Sequence, residues 1–370
     1  MTLLYLFEGY LTFKKTRIQQ LYEKETGKKW DTRNKLDIYK ELKKKNNKIV
    51  VSFHPSHLVV KNYSTLPFPL SGVSNSETIL CNENGYYSIY RSDRYGFNNP
   101  DREWEEKEIE FFLVGDSFTH GYCVNRPNDI SSVLRNLSNK SVLNLGIGGN
   151  GPLIQYAILR EYLDKNVNKV LWIYYEGNDL IDLENEKKNN ILINYLKDLN
   201  FTQNLKFKTN EIDSLLLNLI KEREREEEGG GDTFKSKLLK FFKIYKTRNL
   251  ILTSPPPPPA SASSISIASQ VLQLKKILKL TKELTDKNNS KLYFVYLPEY
   301  NRYKIDYDKK NGKLVEKIVT DLKIPFIDIH KEVFEKEQSP LKLFPFELGG
   351  HYNIEGYKKS AEIIYKLTQD

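Results

Sequence analysis

The sequence predicts an α/β protein: a three-layer α/β/α sandwich on a mainly parallel five-stranded sheet. Three observations predict it. Short, continuous apolar runs recur between residues 109 and 330, as strands buried on both faces require. Stretches with helical periodicity separate them. Four polar, glycine-rich segments lie after strands or before the last helix, at the edge where such a sheet builds its sites.

Residues 14–48 read as a charged helical arm, and the N-terminal arm as a whole is taken as 1–48. Residues 49–105 read as a small β-rich extension. Its β-like runs are IVVSF, HLVV, ETIL and YYSIY, punctuated by Asn84-Gly85 and Asn98-Asn99-Pro100. The α/β/α domain is taken as 106–370. IEFFLV is its first strand, and NDISSVLRNL a helix. SVLNLGI is the second strand, succeeded by a helical run to Leu163. KVLWIYYE is the third strand and KLYFVYLPEY the fourth. A helical KLVEKIVTDL leads to the fifth, IPFIDIH, and NIEGYKKSAEIIYKL closes the chain as a helix. Between the third and fourth strands lies an insertion at about 182–290. It holds the helical pieces SLLLNLIKE and FKSKLLKFFKIY, the charge run KEREREEEGGGD, and PPPPPASASSISIAS, which reads as a flexible linker. Such a segment reads as an elaboration or lid.

Bulk properties bound the function. The chain has 370 residues, 39% of them hydrophobic, enough for a sizeable core. Its net charge is +9, but residues 1–50 alone hold 13 lysines and arginines against 6 acids, so the rest is close to neutral. A nucleic-acid binder would carry its charge on the working domain, so no nucleic acid is expected. The basic arm reads either as a solvated helix face or as a peripheral contact to an anionic membrane or polymer surface. MTLLYLFEGYLTF is too short for a membrane span, which needs about 20 apolar residues, and Glu8 interrupts it. It also lacks the basic start and cleavage site of a secretory signal. It reads as the end of an anchor or as an amphipathic helix packing on the body. Cys81 and Cys123 do not make a disulfide framework and lack the spacing of a zinc or redox pair. His54, His57 and His330 show no ligand spacing, so no metal and no cofactor are expected. The compartment stays open.

The chemistry is read from the segments at the strand ends. Gly115-Asp116-Ser117-Phe118 succeeds the first strand. Gly146-Ile147-Gly148-Gly149-Asn150-Gly151 succeeds the second, and Glu176-Gly177-Asn178-Asp179 the third. Gly349-Gly350-His351-Tyr352-Asn353 precedes the last helix. These parts suit acyl transfer. Ser117 on a tight turn can meet a carbonyl, but a serine hydroxyl needs a base, and His351 is the candidate. Backbone N–H groups of Ser117 and Gly149 and the Asn178 amide can receive the developing oxyanion. Asp116 reads as structural, bonding nearby N–H groups, and His120 as a neighbour rather than the base.

These segments resemble the SGNH (GDSL-like) hydrolases over residues 109–180 and 291–367. GDSF resembles the first block, with Phe118 where many members have leucine, and NLGIGGNG the second. EGND resembles the third and GHYNIEGY the fourth, all in the family's order. The resemblance implies a flavodoxin-like α/β/α fold, a Ser117 nucleophile, a His351 base, and Gly149 and Asn178 in the oxyanion hole. It implies serine-dependent hydrolysis of an ester through an acyl-enzyme. One position departs: three residues before the histidine, where the family has aspartate, stands Leu348. Glu347 or an acid elsewhere would then orient His351, or a backbone carbonyl would, leaving a dyad.

Other readings stand beside this one. Gly146-x-Gly148-x-x-Gly151, with Glu176 ending the next strand, matches a dinucleotide fingerprint, though on the second strand–helix turn rather than the first. An O-acyltransferase on a cell-surface polysaccharide would use the same loops. A non-catalytic glycan-binding protein on the same fold is the third. Tyr174, Tyr175, Tyr296, Tyr300 and Tyr303 lie on or after strands, and those near strand ends could stack on a sugar of an acylated carbohydrate. The expected substrate is thus a small-molecule or glycan ester, an acylated carbohydrate or lipid.

Overall fold

The structure, a computed structural model, describes residues 17–164, 166–229, 263–304, 307 and 310–369. The apolar run at 1–13 and FKSKLLKFFKIY lie outside them, as does the proline run. Among the described residues, no helix is long and apolar enough to cross a membrane.

The chain opens with a helix at residues 17–26 (α1). Helix α2 (Lys35–Lys43) begins at a capping box in which Asn34 and Asp37 satisfy each other's backbone N–H groups. β1 (Ile49–Val51), β2 (Glu77–Ile79) and β3 (Ile89–Arg91) form a three-stranded sheet in that order, the first pair parallel and the second antiparallel. HLVV, expected as a β run, belongs instead to a helix, α3 (Ser56–Val60). Pro55 starts the turn, accepting from Leu58 N–H, with φ already near the helical value. Four apolar residues are too few for periodicity to decide between strand and helix.

The main sheet begins with β4 (Glu108–Gly115), which leads to the one-turn helix α4 (Ser117–His120) and to α5 (Ile130–Ser138), capped by Asp129. β5 (Val142–Asn144), α6 (Pro152–Tyr162), β6 (Asn166–Tyr175), α7 (Asp179–Glu186), α8 (Asn190–Lys197) and α9 (Thr209–Gly229) come next. After the segment outside the described residues come α10 (Ser263–Lys287), β7 (Lys291–Leu297), α11 (Lys310–Asp321), β8 (Phe326–Asp328), α12 (Ile329–Glu332) and α13 (Ile354–Leu367). The five strands pair in parallel in the order β5-β4-β6-β7-β8. That order is flavodoxin-like, with the switch point between β4 and β6.

Side-chain alternation divides the core. Phe112 and Val114 of β4, Val170 and Trp172 of β6, and Phe294 of β7 face one helical layer. It includes α6, α8 and α10 and continues into Ile49, Phe68 and Phe97 of the N-terminal part. Phe111, Leu113, Leu171, Ile173 and Val295 face the other, which holds α5, α12 and α13. Strands buried on both sides explain why the runs look continuously apolar.

Two expectations are corrected. Residues 263–269, read as the end of a linker, open α10, and α10 buries Val271, Leu274 and Ile277 in the first layer. It is the helix that crosses over into β7, so the insertion at about 182–290 supplies part of the core. IPFIDIH is a strand only at β8, because the Asp328 carboxylate accepts from His330 and Lys331 N–H and starts α12.

Candidate active site

The sheet order brings three loops together. β4 lies between β5 and β6, so the segments after these strands, holding Ser117, Gly149 and Asn178, leave the same edge side by side. Asp116 ends β4's turn by accepting Phe118 N–H at 2.9 Å, which starts α4 and presents Ser117 on its first turn. Burial pushes the Asp116 carboxyl up to about 6, against the pull of the Phe118 N–H.

His351 Nε2 stands 2.8 Å from Ser117 Oγ. Its ring lies between Phe118 (centroids 4.7 Å) and Tyr122 (4.6 Å), which limits rotation. On the far side, His351 Nδ1 is 3.0 Å from Glu83 Oε1, and Glu83 Oε2 accepts His351 N–H at 2.8 Å. With the imidazole proton on Nδ1 donated to Glu83, Nε2 is free to accept from the Ser117 hydroxyl. Burial would by itself lower the His351 pKa, but the Glu83 charge and hydrogen bond, with Asp116 behind them, overcome it and raise it. The Glu83 carboxyl is lowered: burial acts upward, and His351 outweighs it.

Glu83 therefore corrects the expectation about Glu347. Glu347 lies near in sequence, but its carbonyl accepts from Tyr300 Oη at 2.8 Å, and the His351 Nδ1 position is filled by Glu83. Gly350 makes room, since a Cβ there would lie 2.7 Å from Glu83 Oε2, and its φ of +114° suits glycine alone. Leu348, where the resemblance implies an acid, lines a cleft instead.

Cys81 and Cys123, expected to make no disulfide framework, are joined to each other in a single disulfide. The bridge connects the turn carrying Glu83 to the loop beyond Ser117. Asn84 Nδ2 donates to Cys123 O at 2.9 Å, and Asn82 Nδ2 donates to Asp31 O at 2.9 Å, pinning the same turn from both sides. Among the described residues, Glu83, Cys123 and His351 are the one grouping of three metal-capable side chains, but the Cys123 sulfur is committed to the bridge. Replacing both cysteines with serine is expected to lower stability by about 2–4 kcal/mol and to loosen the hold of Glu83 on His351. Urea unfolding and the His351 titration followed by NMR on one preparation would check both, and an unchanged midpoint would show that the bridge contributes nothing.

Each oxyanion candidate has its own support. Gly149 has φ +75°, and a Cβ there would meet Ser56 Oγ at 2.6 Å, so the N-terminal part backs this turn directly. Gly148 N–H donates to His120 Nδ1 at 3.3 Å. Burial pushes His120 down to about 3, which keeps it a neutral acceptor that supports the turn. The Asn178 amide donates to Asp182 Oδ2 at 2.7 Å. The glycine fingerprint sits after β5, an edge strand, away from the switch point, and Glu176 is bonded to the Arg302 guanidinium and Glu299 N–H. That geometry disfavours a dinucleotide.

A cleft of about 580 Å³ opens beside Glu83 and the Gly349–Gly350 turn, lined by Trp30, Tyr175, Glu299, Tyr300, Asn301 and Leu348 among others. Trp30 comes from the N-terminal arm, where Tyr22 packs edge-on against it at 5.5 Å. Tyr174 and Tyr296 are core residues, stacked on each other at 5.5 Å. Tyr303 stacks on Phe334, and Lys304 Nζ sits 4.3 Å from the Tyr300 ring centroid.

Sequence reasoning missed Glu83, Ser56 and Trp30. The signal for Glu83 was the chain's pair of cysteines, which bracket it and Ser117 in sequence. No protein-family model matches the chain, and no curated protein matches it. Among solved structures, it is similar to a candidate lipolytic protein of the G-D-S-L family from Desulfitobacterium hafniense DCB-2. The two are 14% identical, with 71% of this chain and 99% of the other covered and a TM-score of 0.39. An acetyl xylan esterase is 11% identical, with 70% and 100% covered and a TM-score of 0.36.

Proposed function

We propose that the chain is a serine esterase of SGNH type that works through an acyl-enzyme. The observation that carries this reading is the continuous chain Glu83–His351–Ser117, with contacts of 3.0 and 2.8 Å. Ser117 Oγ attacks the ester carbonyl and its proton passes to His351 Nε2. The imidazolium is stabilised by Glu83, then protonates the leaving alkoxide, which departs as the alcohol. Water attacks the acyl-serine, gives its proton to His351, and the acid leaves as Ser117 is regenerated. Ser117 N–H, Gly149 N–H and the Asn178 amide stabilise the oxyanion in both halves. Glu83, standing in for the missing acid at Leu348, supports the catalytic reading over that of a non-catalytic binding protein.

The test is turnover of p-nitrophenyl acetate and butyrate, with a fluorophosphonate probe and mass mapping of the adduct. Turnover with the label on Ser117 is the expected result. A folded wild type that neither turns over nor takes the label would overturn the reading. Acyl transfer to a sugar hydroxyl uses the same groups, and a glycan acceptor added to the assay separates it from hydrolysis.

For the alcohol half, an acylated carbohydrate suits the cleft, where Trp30 offers an aromatic face and Asn301 and Glu299 offer polar partners. Trp30→Ala is expected to raise KM for an acetylated oligosaccharide about 5-fold, as loss of roughly 1 kcal/mol of aromatic contact implies. The KM for p-nitrophenyl acetate should stay unchanged. Equal effects on both substrates would argue against a sugar in the cleft.

A further inference from the structure

Helix α7 carries a feature that the Ser–His–acid chain does not use. Asn178, Asp182 and Glu186 are spaced four residues apart, which puts all three on one stripe of the helix. That stripe faces the turn holding Gly149. Asn178 Nδ2 donates to Asp182 Oδ2 at 2.7 Å. Glu186 Oε1 accepts Gly151 N–H at 2.6 Å, and its Oε2 accepts Leu153 N–H at 2.9 Å and Ile154 N–H at 3.4 Å. So one carboxylate holds the loop after β6, and the next holds the turn after β5 and the first N–H groups of α6. The packing is close: a Cβ on Gly151 would lie 2.7 Å from Asp182 Cβ and 2.8 Å from Glu186 Oε2.

We propose that Asp182 and Glu186 are positioning residues for the oxyanion pocket, Asp182 aiming the Asn178 amide and Glu186 fixing the Gly149–Gly151 turn. The inference rests on the esterase reading. Its physical content lies in the two orientations of an amide. Asn178 Oδ1 is buried without a partner, so the bond from Nδ2 to Asp182 decides which way the group points. Turned over, the amide would set Oδ1 against the carboxylate and offer an acceptor, not a donor, to the oxyanion. Above its own pKa Asp182 is ionised and can only accept, and there it selects the productive orientation. It engages one of the two N–H bonds and leaves the second for substrate. Burial raises the Asp182 carboxyl to about 7, with Asp116's charge adding to it, while the Asn178 bond pulls it down. Glu186 acts on the second donor by a separate route. Its two oxygens fill three backbone N–H groups that begin α6, which holds the turn against the pocket.

The two routes predict different couplings. Asp182→Asn can donate as well as accept, so it tolerates either orientation of Asn178. It is expected to lower kcat about 10-fold with KM unchanged, part of the 10²–10³ that losing a whole oxyanion donor removes. Placed on Asn178→Ala, Asp182→Asn should lower kcat no further, because the group it aims is gone. Glu186→Gln should lower kcat by the same factor in both backgrounds, since it serves Gly149. Asp182→Ala, which leaves Asn178 untethered, is the second variant should Asp182→Asn fold poorly, and it should show the same pattern. A purely structural role would instead shift thermal stability and, for Asp182, lower kcat equally with and without Asn178; for Glu186 it would shift thermal stability with kcat unchanged. That pattern, or an Asp182→Asn enzyme as fast as the wild type, would overturn the inference alone. A wild type that neither turns over nor labels would overturn the esterase reading, and this inference with it.

Discussion

Ser117→Ala is expected to lower esterase turnover by about 10⁴–10⁶-fold, the range seen when a triad nucleophile is removed and oxyanion and binding contributions remain. The fold should survive. The Ser117 hydroxyl meets His351 at 2.8 Å and Asp116 at 3.4 Å, while the backbone turn is held by the Asp116–Phe118 bond, which the substitution leaves in place. The stability change should therefore stay within about 0.5 kcal/mol. Turnover of p-nitrophenyl butyrate and a thermal melt on the same sample check both halves. A variant retaining a tenth of the activity would mean that the nucleophile lies elsewhere.

Glu83→Gln should lower kcat/KM by about 10²–10⁴-fold, as expected when the orienting acid of a triad becomes an amide. A glutamine can donate to Nδ1 and so favours the tautomer whose Nε2 cannot accept the Ser117 proton. The pH profile supplies a second reading. His351 must be neutral to act as base, so activity rises with pH through its pKa, and Glu83 holds that pKa above the ordinary histidine value. Removing the charge lowers it, so the acidic limb of the profile should move to lower pH in Glu83→Gln. Glu347→Gln should leave both rate and profile unchanged. If Glu347→Gln were the slow variant and Glu83→Gln the fast one, the assignment of the orienting acid would be reversed.

The sheet and the loops that leave it were readable because their signals are local. IEFFLV, KVLWIYYE and KLYFVYLPEY are apolar at nearly every position that two helical layers cover, the buried Glu110 excepted, and the polar turn residues stand next to them in sequence. Short or boundary segments were misread where a cap or a proline decided the outcome, as at Pro55 for α3 and Asp328 for α12. The linker reading failed at 263–269 because low complexity does not report whether a neighbouring face will bury the segment, and Val271 and Leu274 just beyond it carry the helix into the core.

The Asn178–Asp182–Glu186 spacing is plain in the sequence. Its meaning depends on the Gly149–Gly151 turn lying opposite, which no helical period reveals. The same holds more strongly for Glu83, which bonds a histidine 268 positions away through a turn stapled to the loop beyond Ser117. By itself, the sequence determined the succession of apolar runs along the chain, Ser117 at the end of one, and His351 ahead of the closing helix, because each depends on neighbours along the chain. Only the tertiary structure decided which acid completes the site and what braces the oxyanion loops, because those partners meet through burial and bridging between segments remote in sequence.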